Sequence, residues 1–228
     1  MPKWGLVLSR RIVIIGTGGH SRVVAELAFL AGYEIAGFLE PKNEGATHHE
    51  GLPVFRFLPH EEAFWVVSAI GDNMVRNRVV NRINIEINES DSEWAPALIH
   101  PSATVSASAS LDQGTTVHAG SLVGPKAQVG RHCIVNSRAL IEHDCQLDHF
   151  SSLAPAAVMG GASRLCEGAF LGMNATLLQG RSIGAWSIVG AGSLVLRGVS
   201  DNRLVFGTPA RDRRPVSSGD SPFGSSDQ

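Results

Sequence analysis

The stretch Val117-His-Ala-Gly-Ser-Leu-Val123-Gly-Pro-Lys-Ala-Gln-Val129-Gly-Arg-His-Cys-Ile-Val135 repeats every six residues. An aliphatic residue opens each hexad, and a small one stands four places on, at Ser121, Ala127 and Cys133. Followed outward, the pattern runs unbroken: from Ile99 to Val195 every sixth residue is Ile, Leu, Val or Met. A period of six matches neither the 3.6 of a helix nor the 2 of a flat strand. It matches a triangular prism of short parallel strands, with three hexads to a coil. The aliphatic side chain points inward, the small residue fills the remaining interior, and corners favour Gly, Asn and Asp, which tolerate unusual backbone angles. Coils stack about 4.8 Å apart through parallel hydrogen bonds. Ile99 to Gly198 therefore holds between five and six coils.

Composition agrees with a thin core. Gly accounts for 25 of 228 residues, aromatics for 6% and charged residues for 18%, against about 25% charged in an average domain. Between Ile99 and Gly198 the aromatic residues are Phe150, Phe170 and Trp186, because the prism has little room for rings. A net charge of −2 gives no electrostatic case for nucleic acid or an anionic membrane. No apolar run approaches the ~20 residues of a membrane span, and no signal-peptide core follows Met1 to Arg11. Three cysteines without CxxC spacing speak against a disulfide framework or zinc knuckle. Cys133 and Cys145 occupy small inward positions, so they are expected in the core. A cytoplasmic protein is expected, bound to neither nucleic acid nor membrane.

The first 95 residues read differently. Arg11 to Ile15 is a buried strand, Gly16-Thr-Gly-Gly-His20 a glycine-rich turn, Ser21 to Gly32 a helix, and Glu34 to Glu40 a second strand. This is a Rossmann-like βαβ unit. Another strand, Phe64 to Ile70, ends at Gly71-Asp72-Asn73, and a helix is expected over Met74 to Asn84. Asn88 to Pro96 reads as a linker. Ser21 stands where a dinucleotide fingerprint carries its third Gly, so a single phosphate-bearing ligand at the helix start is the better expectation. Glu40, at a strand end, could accept hydrogen bonds from a ribose. The domains expected are 1–95, Rossmann-like α/β; 96–211, the β-helix; and 212–228, a disordered tail rich in Ser, Gly and Pro.

Within the repeat, Asn136 to Cys145 is dense in polar groups. His143 lies two residues past an inward aliphatic, at a corner where in–out alternation fails, so Asp144 can lie beside its imidazole. A carboxylate bonded to one ring nitrogen fixes the tautomer and leaves the other free as a general base. Gly161 is one coil beyond His143 and should stack about 4.8 Å above it. A carbonyl between them could meet both a base and a backbone donor. His118, His132 and His149 do not supply the phase of a metal site, and none is expected.

Four stretches carry a family resemblance: Ile14-Ile-Gly-Thr-Gly-Gly-His-Ser-Arg-Val-Val-Ala25, Ala69-Ile-Gly-Asp-Asn73, Ile141-Glu-His-Asp-Cys145 and Val205-Phe-Gly-Thr-Pro-Ala-Arg211. Together they resemble bacterial nucleotide-sugar acetyltransferases of the sialic-acid O-acetyltransferase and bacillosamine N-acetyltransferase type, within the hexapeptide-repeat acyltransferases. The resemblance implies a left-handed parallel β-helix, acetyl-CoA as co-substrate, and a homotrimer with acetyl-CoA in the groove between neighbours. It implies His143 as base, Asp144 as its orienting acid and the Gly161 amide as oxyanion donor. The nucleotide pocket falls on Gly16, Thr17, Gly18, Gly19, His20, Ser21, Glu40, Gly71, Asp72 and Asn73. Asn136 falls near the sugar, as does Ser152, where family members often carry a His. Gly161, Met173, Ala191, Gly207 and Pro209 fall along coenzyme A. The activity implied is N-acetylation of a nucleotide-linked amino sugar of the UDP-4-amino-sugar type. O-acetylation of a sialic acid or related sugar is the alternative, and a non-catalytic sugar-nucleotide-binding scaffold is the rival from another class.

Overall fold

A computed structural model of the chain describes residues 10–41, 47–59, 62–217 and 220–222. Two compact units emerge. One comprises the residues up to Ile70 together with Arg78–Ala95; the other comprises Gly71–Asn77 and the residues from Pro96 onward.

In the first unit, β1 (Arg11–Ile15), α1 (Gly19–Leu30) and β2 (Glu34–Leu39) form the expected βαβ unit. Ile12 to Ile15 are at most 1% exposed, which explains their continuous apolar run: a parallel strand is covered on both faces. A hairpin of β3 (His48–His49) and β4 (Leu52–Phe55) follows, turning at Glu50 and Gly51, both at positive φ. Next come β5 (Trp65–Ser68), α2 (Asn73–Asn88) and β6 (Glu93–Trp94), giving a sheet of order β3-β4-β2-β1-β5-β6. The stretch expected as a linker thus carries an edge strand. Two residues are too few to show periodicity, but Trp94 and Ala95 are buried.

The second unit is a parallel β-helix of seventeen two-residue strands, β7 (Leu98–Ile99) through β23 (Leu194–Val195). Each pairs with strands one coil before and after, as Thr116 with Ile134 and Val117 with Val135. The strands fall on three faces. The first runs from β7 to Ile188–Val189, the second from Thr104–Val105 to β23, and the third from Ser110–Leu111 to Ser182–Ile183. The aliphatic and small positions form one buried column, Cys133 and Cys145 among them, and burial pushes the Cys133 thiol up to about 11. A hairpin of β24 (Arg203–Gly207) and β25 (Ala210–Pro215) closes the C-terminal end. It carries ordered structure past Asp212, where the tail was expected to begin. Of that tail, residues 218–219 and 223–228 lie outside those described.

The hydrogen-bond pattern assigns a job to each corner residue. After Val123, the Gly124 amide donates to Ile141 O at 2.8 Å, Ala127 to Gly124 O, and Gln128 to Cys145 O. The fourth residue of the hexad adopts left-handed backbone, as at Lys126 (φ 58), His132 (φ 55), Asp144 (φ 57) and Phe150 (φ 60). For a non-Gly residue this costs roughly 1–2 kcal/mol, offset by amides such as Asp144 N, which donates to Pro125 O at 3.0 Å. The third residue's amide has no place in the ladder. Proline at 101, 125 and 155 fits that position, since proline has no N–H to lose.

Candidate active site

His143 and Gly161 are both third residues, at the corner between the second and third faces. His143 Nδ1 lies 2.8 Å from Asp144 Oδ2. The left-handed backbone at Asp144 swings its carboxylate alongside the ring. With Nδ1–H donating to the carboxylate, Nε2 keeps its lone pair, and the side chain is 60% exposed, so that lone pair is accessible. Gly161 lies directly beyond. A Cβ on it would sit 2.6 Å from His143 Nε2, inside contact distance. Space, not backbone strain, therefore requires glycine. Among the described residues the Gly161 amide has no hydrogen-bond partner. Elsewhere the third-position amide finds a side chain: Arg131 N donates to His149 Nδ1 at 3.0 Å, and Ala185 N to Asp201 Oδ1 at 2.8 Å. Base, orienting acid and free backbone donor converge as acyl transfer requires.

Asn136, Met173 and Ala191 occupy the corner between the first and second faces, a whole face away from His143. The face between them presents Leu122, Leu140, Val158, Thr176 and Leu194, with Leu122 37% exposed. The corresponding third-face residues, Ser110, Gln128, Gln146, Arg164 and Ser182, are polar. Gly207 and Pro209 lie in the terminal hairpin, where Gly207 N donates to Ser193 Oγ at 3.1 Å.

In the first unit, Gly16 N donates to Leu39 O at 2.9 Å, and φ of 103° demands glycine there. Gly18 begins α1 without a side-chain cap, and the first turn holds no acid. A Cβ on Gly18 or Gly19 would meet nothing within 4 Å. The helix start thus offers amides with open space before them, which favours an anion. Thr17 and His20 flank this turn, and Glu40 is half-buried at the strand end. Ser21 has a different role. It is fully buried, its Oγ donates to Gly18 O at 2.6 Å, and it takes a hydrogen bond from His49 Nε2 at 2.8 Å. It braces the turn from behind.

The loop at Gly71 is bound to the β-helix. Asp72 Oδ1 accepts from Val75 N at 2.9 Å, capping α2. Asn73 Nδ2 donates to Gly168 O and Ala169 O, and its Oδ1 accepts from Ser152 Oγ at 2.7 Å and Arg76 Nη2 at 2.8 Å. All four hydrogen-bonding positions of the amide are filled. Arg76, 1% exposed, also donates to His132 O at 2.9 Å and Phe150 O at 2.8 Å. Burial lowers its pKa to about 10. Asn73 and Ser152, expected to face the sugar nucleotide, are therefore engaged in a buried node. Sequence reasoning missed Arg76 because its partners lie over fifty residues away and no motif links them. Among the described residues no group of three His, Cys, Asp or Glu is placed to hold a metal ion, and no helix is long and apolar enough to cross a membrane.

A free base beneath an unpaired backbone donor, set on a hexapeptide β-helix, defines an acyltransferase-type corner, and comparison with known proteins narrows the class. Residues 11–83 match the PglD N-terminal domain. The acetyltransferase domain of PglB from Neisseria gonorrhoeae, solved with acetyl coenzyme A, is 33% identical, with a TM-score of 0.80 over 90% of this chain and 100% of that one. PerB from Caulobacter crescentus, solved with CoA and GDP-perosamine, is 32% identical, with a TM-score of 0.78 over 89% of this chain and 97% of that one. Serine acetyltransferase 2 of Arabidopsis thaliana is 32% identical over 115 residues, which are 50% of this chain and 31% of that protein. The chain belongs to the nucleotide-sugar acetyltransferase family of hexapeptide-repeat acyltransferases.

Proposed function

We propose that the protein transfers the acetyl group of acetyl-CoA directly to the amino group of a nucleotide-linked amino sugar. The observation that carries this reading is the His143–Asp144 pair beneath the unpaired Gly161 amide. As the amine attacks the thioester carbonyl, His143 Nε2 removes its proton, and Asp144 holds the imidazolium that results. The Gly161 N–H bonds the oxygen as it gains charge. Collapse expels the CoA thiolate, to which His143 returns the proton. The amides of the Gly16–His20 turn take the nucleotide's phosphates, with Glu40, Gly71 and Asp72 at its rim and Asn136 toward the sugar.

Met173 and Ala191 meet the pantetheine arm, yet they lie a whole face from His143. One copy therefore cannot wrap a single coenzyme with both corners. The apolar second face, packed against further copies, brings a neighbour's Met173 corner to His143, which supports a homotrimer. The use of acetyl-CoA places the reaction in the cytoplasm. A thiol-release assay over UDP-, GDP- and dTDP-linked amino sugars tests the proposal, with the UDP-4-amino-sugar as the expected acceptor and the GDP sugar bound by PerB beside it. Turnover with none of them would reject it.

A further inference from the structure

The column that holds His143 continues past Gly161. Eighteen-residue steps place Gln179 and then Arg197 at the same corner, so Arg197 stands three coils beyond the base, about 14 Å at ~4.8 Å per coil. There a cleft of about 430 Å³ opens between the last coil and the terminal hairpin, lined by Arg197, Gly198, Pro209, Ala210, Arg211 and Asp212. The nearby acids are already neutralised. Asp212 receives Arg203 Nε and Nη2 at 2.7–2.9 Å, and Asp220 receives Arg214. Arg213 lies over the Phe206 ring, 4.5 Å from its centroid. Among the described residues Arg197 and Arg211 have no ion-pair partner, and both are exposed at the cleft. The cleft thus holds two uncompensated guanidinium groups in line with the catalytic column.

Resting on the acetyl-CoA reading above, we infer that Arg197 and Arg211 bind the diphosphate of coenzyme A, making this cleft a gauge of the pantetheine arm's length. The arm supplies the measure. An extended chain advances ~3.5 Å for every three bonds, so the roughly thirteen bonds from thioester sulfur to the first phosphorus span about 15 Å. That equals the rise from His143 to Arg197. With the thioester between His143 and Gly161, the diphosphate reaches the guanidinium groups, which suit phosphate oxygens through forked hydrogen bonds. The 3′-phosphate, on the far side of the ribose, falls beyond both arginines.

Calorimetric binding of CoA, dephospho-CoA and pantetheine to the wild type, Arg197→Ala and Arg211→Ala tests this without any acceptor sugar. Each substitution should weaken CoA and dephospho-CoA equally, by tenfold or more, and leave pantetheine unchanged, while Arg197→Lys recovers part of the loss. Both side chains are exposed, and an unchanged thermal midpoint confirms the fold. Weakening confined to CoA, with dephospho-CoA unaffected, would move the contact to the 3′-phosphate and overturn the assignment. Equal binding of CoA to wild type and variants would overturn it too. Absence of CoA binding to the wild type would instead bring down the acetyl-CoA reading itself.

Discussion

His132 and His143 stand on the same prism, eleven residues apart, yet have opposite chemistry. His143 is a third residue of its hexad: its ring leaves the corner, 60% exposed, beside Asp144. His132 is a fourth residue, in left-handed backbone, and 4% exposed. Its ring stacks on Phe150 at 5.3 Å and covers Gly114, where a Cβ would collide with it at 2.1 Å. Arg76 lies next to it, and burial together with that cation lowers the His132 pKa to about 3. One position within a hexad thus separates a base open to substrate from a neutral ring that fills a seam. The third position has an amide outside the ladder and a side chain at the edge; the fourth has its amide tied down and its side chain laid along the column.

Substituting the base tests the contrast most directly. His143→Gln keeps a polar side chain at the corner but no proton acceptor of imidazole strength, so kcat should fall by about 10²–10⁴ with thermal stability and CoA binding unchanged. Near-normal turnover would remove His143 from the chemistry. Gly161→Ala comes next. Its methyl group enters the space 2.6 Å from Nε2 and pushes the ring off line. A loss of about 10²-fold in kcat is expected, again without unfolding. His143→Gln and Gly161→Ala should combine to much less than the product of their separate losses, because each disables the same step.

For His132 the readout is stability against pH. Its folded pKa, about 3, lies below the ordinary 6.5, so between those values the unfolded chain binds the extra proton. Stability is complete above about pH 6.5 and falls as the solution is acidified toward pH 3, by at most about 1.4 kcal/mol per pH unit. His132→Phe keeps a ring over Gly114 and should flatten this slope in thermal unfolding measured from pH 7 to pH 4. The His143→Gln protein should retain the wild-type slope; an equal flattening in both would erase the distinction drawn between the two corners.

The legible part of this molecule is the part in which neighbours in space are a fixed distance apart in sequence. The six-residue period placed each inward aliphatic residue, and the eighteen-residue step put Gly161 over His143 before any coordinates were needed. The same step reaches Arg197, a residue no motif marks. What sequence could not show is what breaks the period. The head of α2 groups with the β-helix because Asn73 and Arg76 find acceptors at Gly168, His132 and Phe150. Such contacts depend on two unrelated stretches meeting once. The two-residue strand β6 escaped for another reason: burial defines it, and two residues cannot show a pattern.

Ser152 carries the smallest expected effect and decides on which side of the comparison the Asn73–Arg76 node belongs. It is 2% exposed, donates to Asn73 Oδ1 at 2.7 Å and accepts from Arg76 Nη2 at 2.9 Å. Ser152→Ala removes one acceptor from a guanidinium that keeps those at His132, Phe150, Gly71 and Asn73. A cost of about 1 kcal/mol in denaturant unfolding follows, with KM for the sugar nucleotide within twofold of wild type. Ser152→His, which restores the residue family members often carry, should cost more: an imidazole does not fit between Asn73 and Arg76 without parting them, so the node would open. If Ser152→Ala instead raised KM for the sugar nucleotide and left stability untouched, the node would belong with the exposed corner that meets substrate, not with the buried seam beside His132.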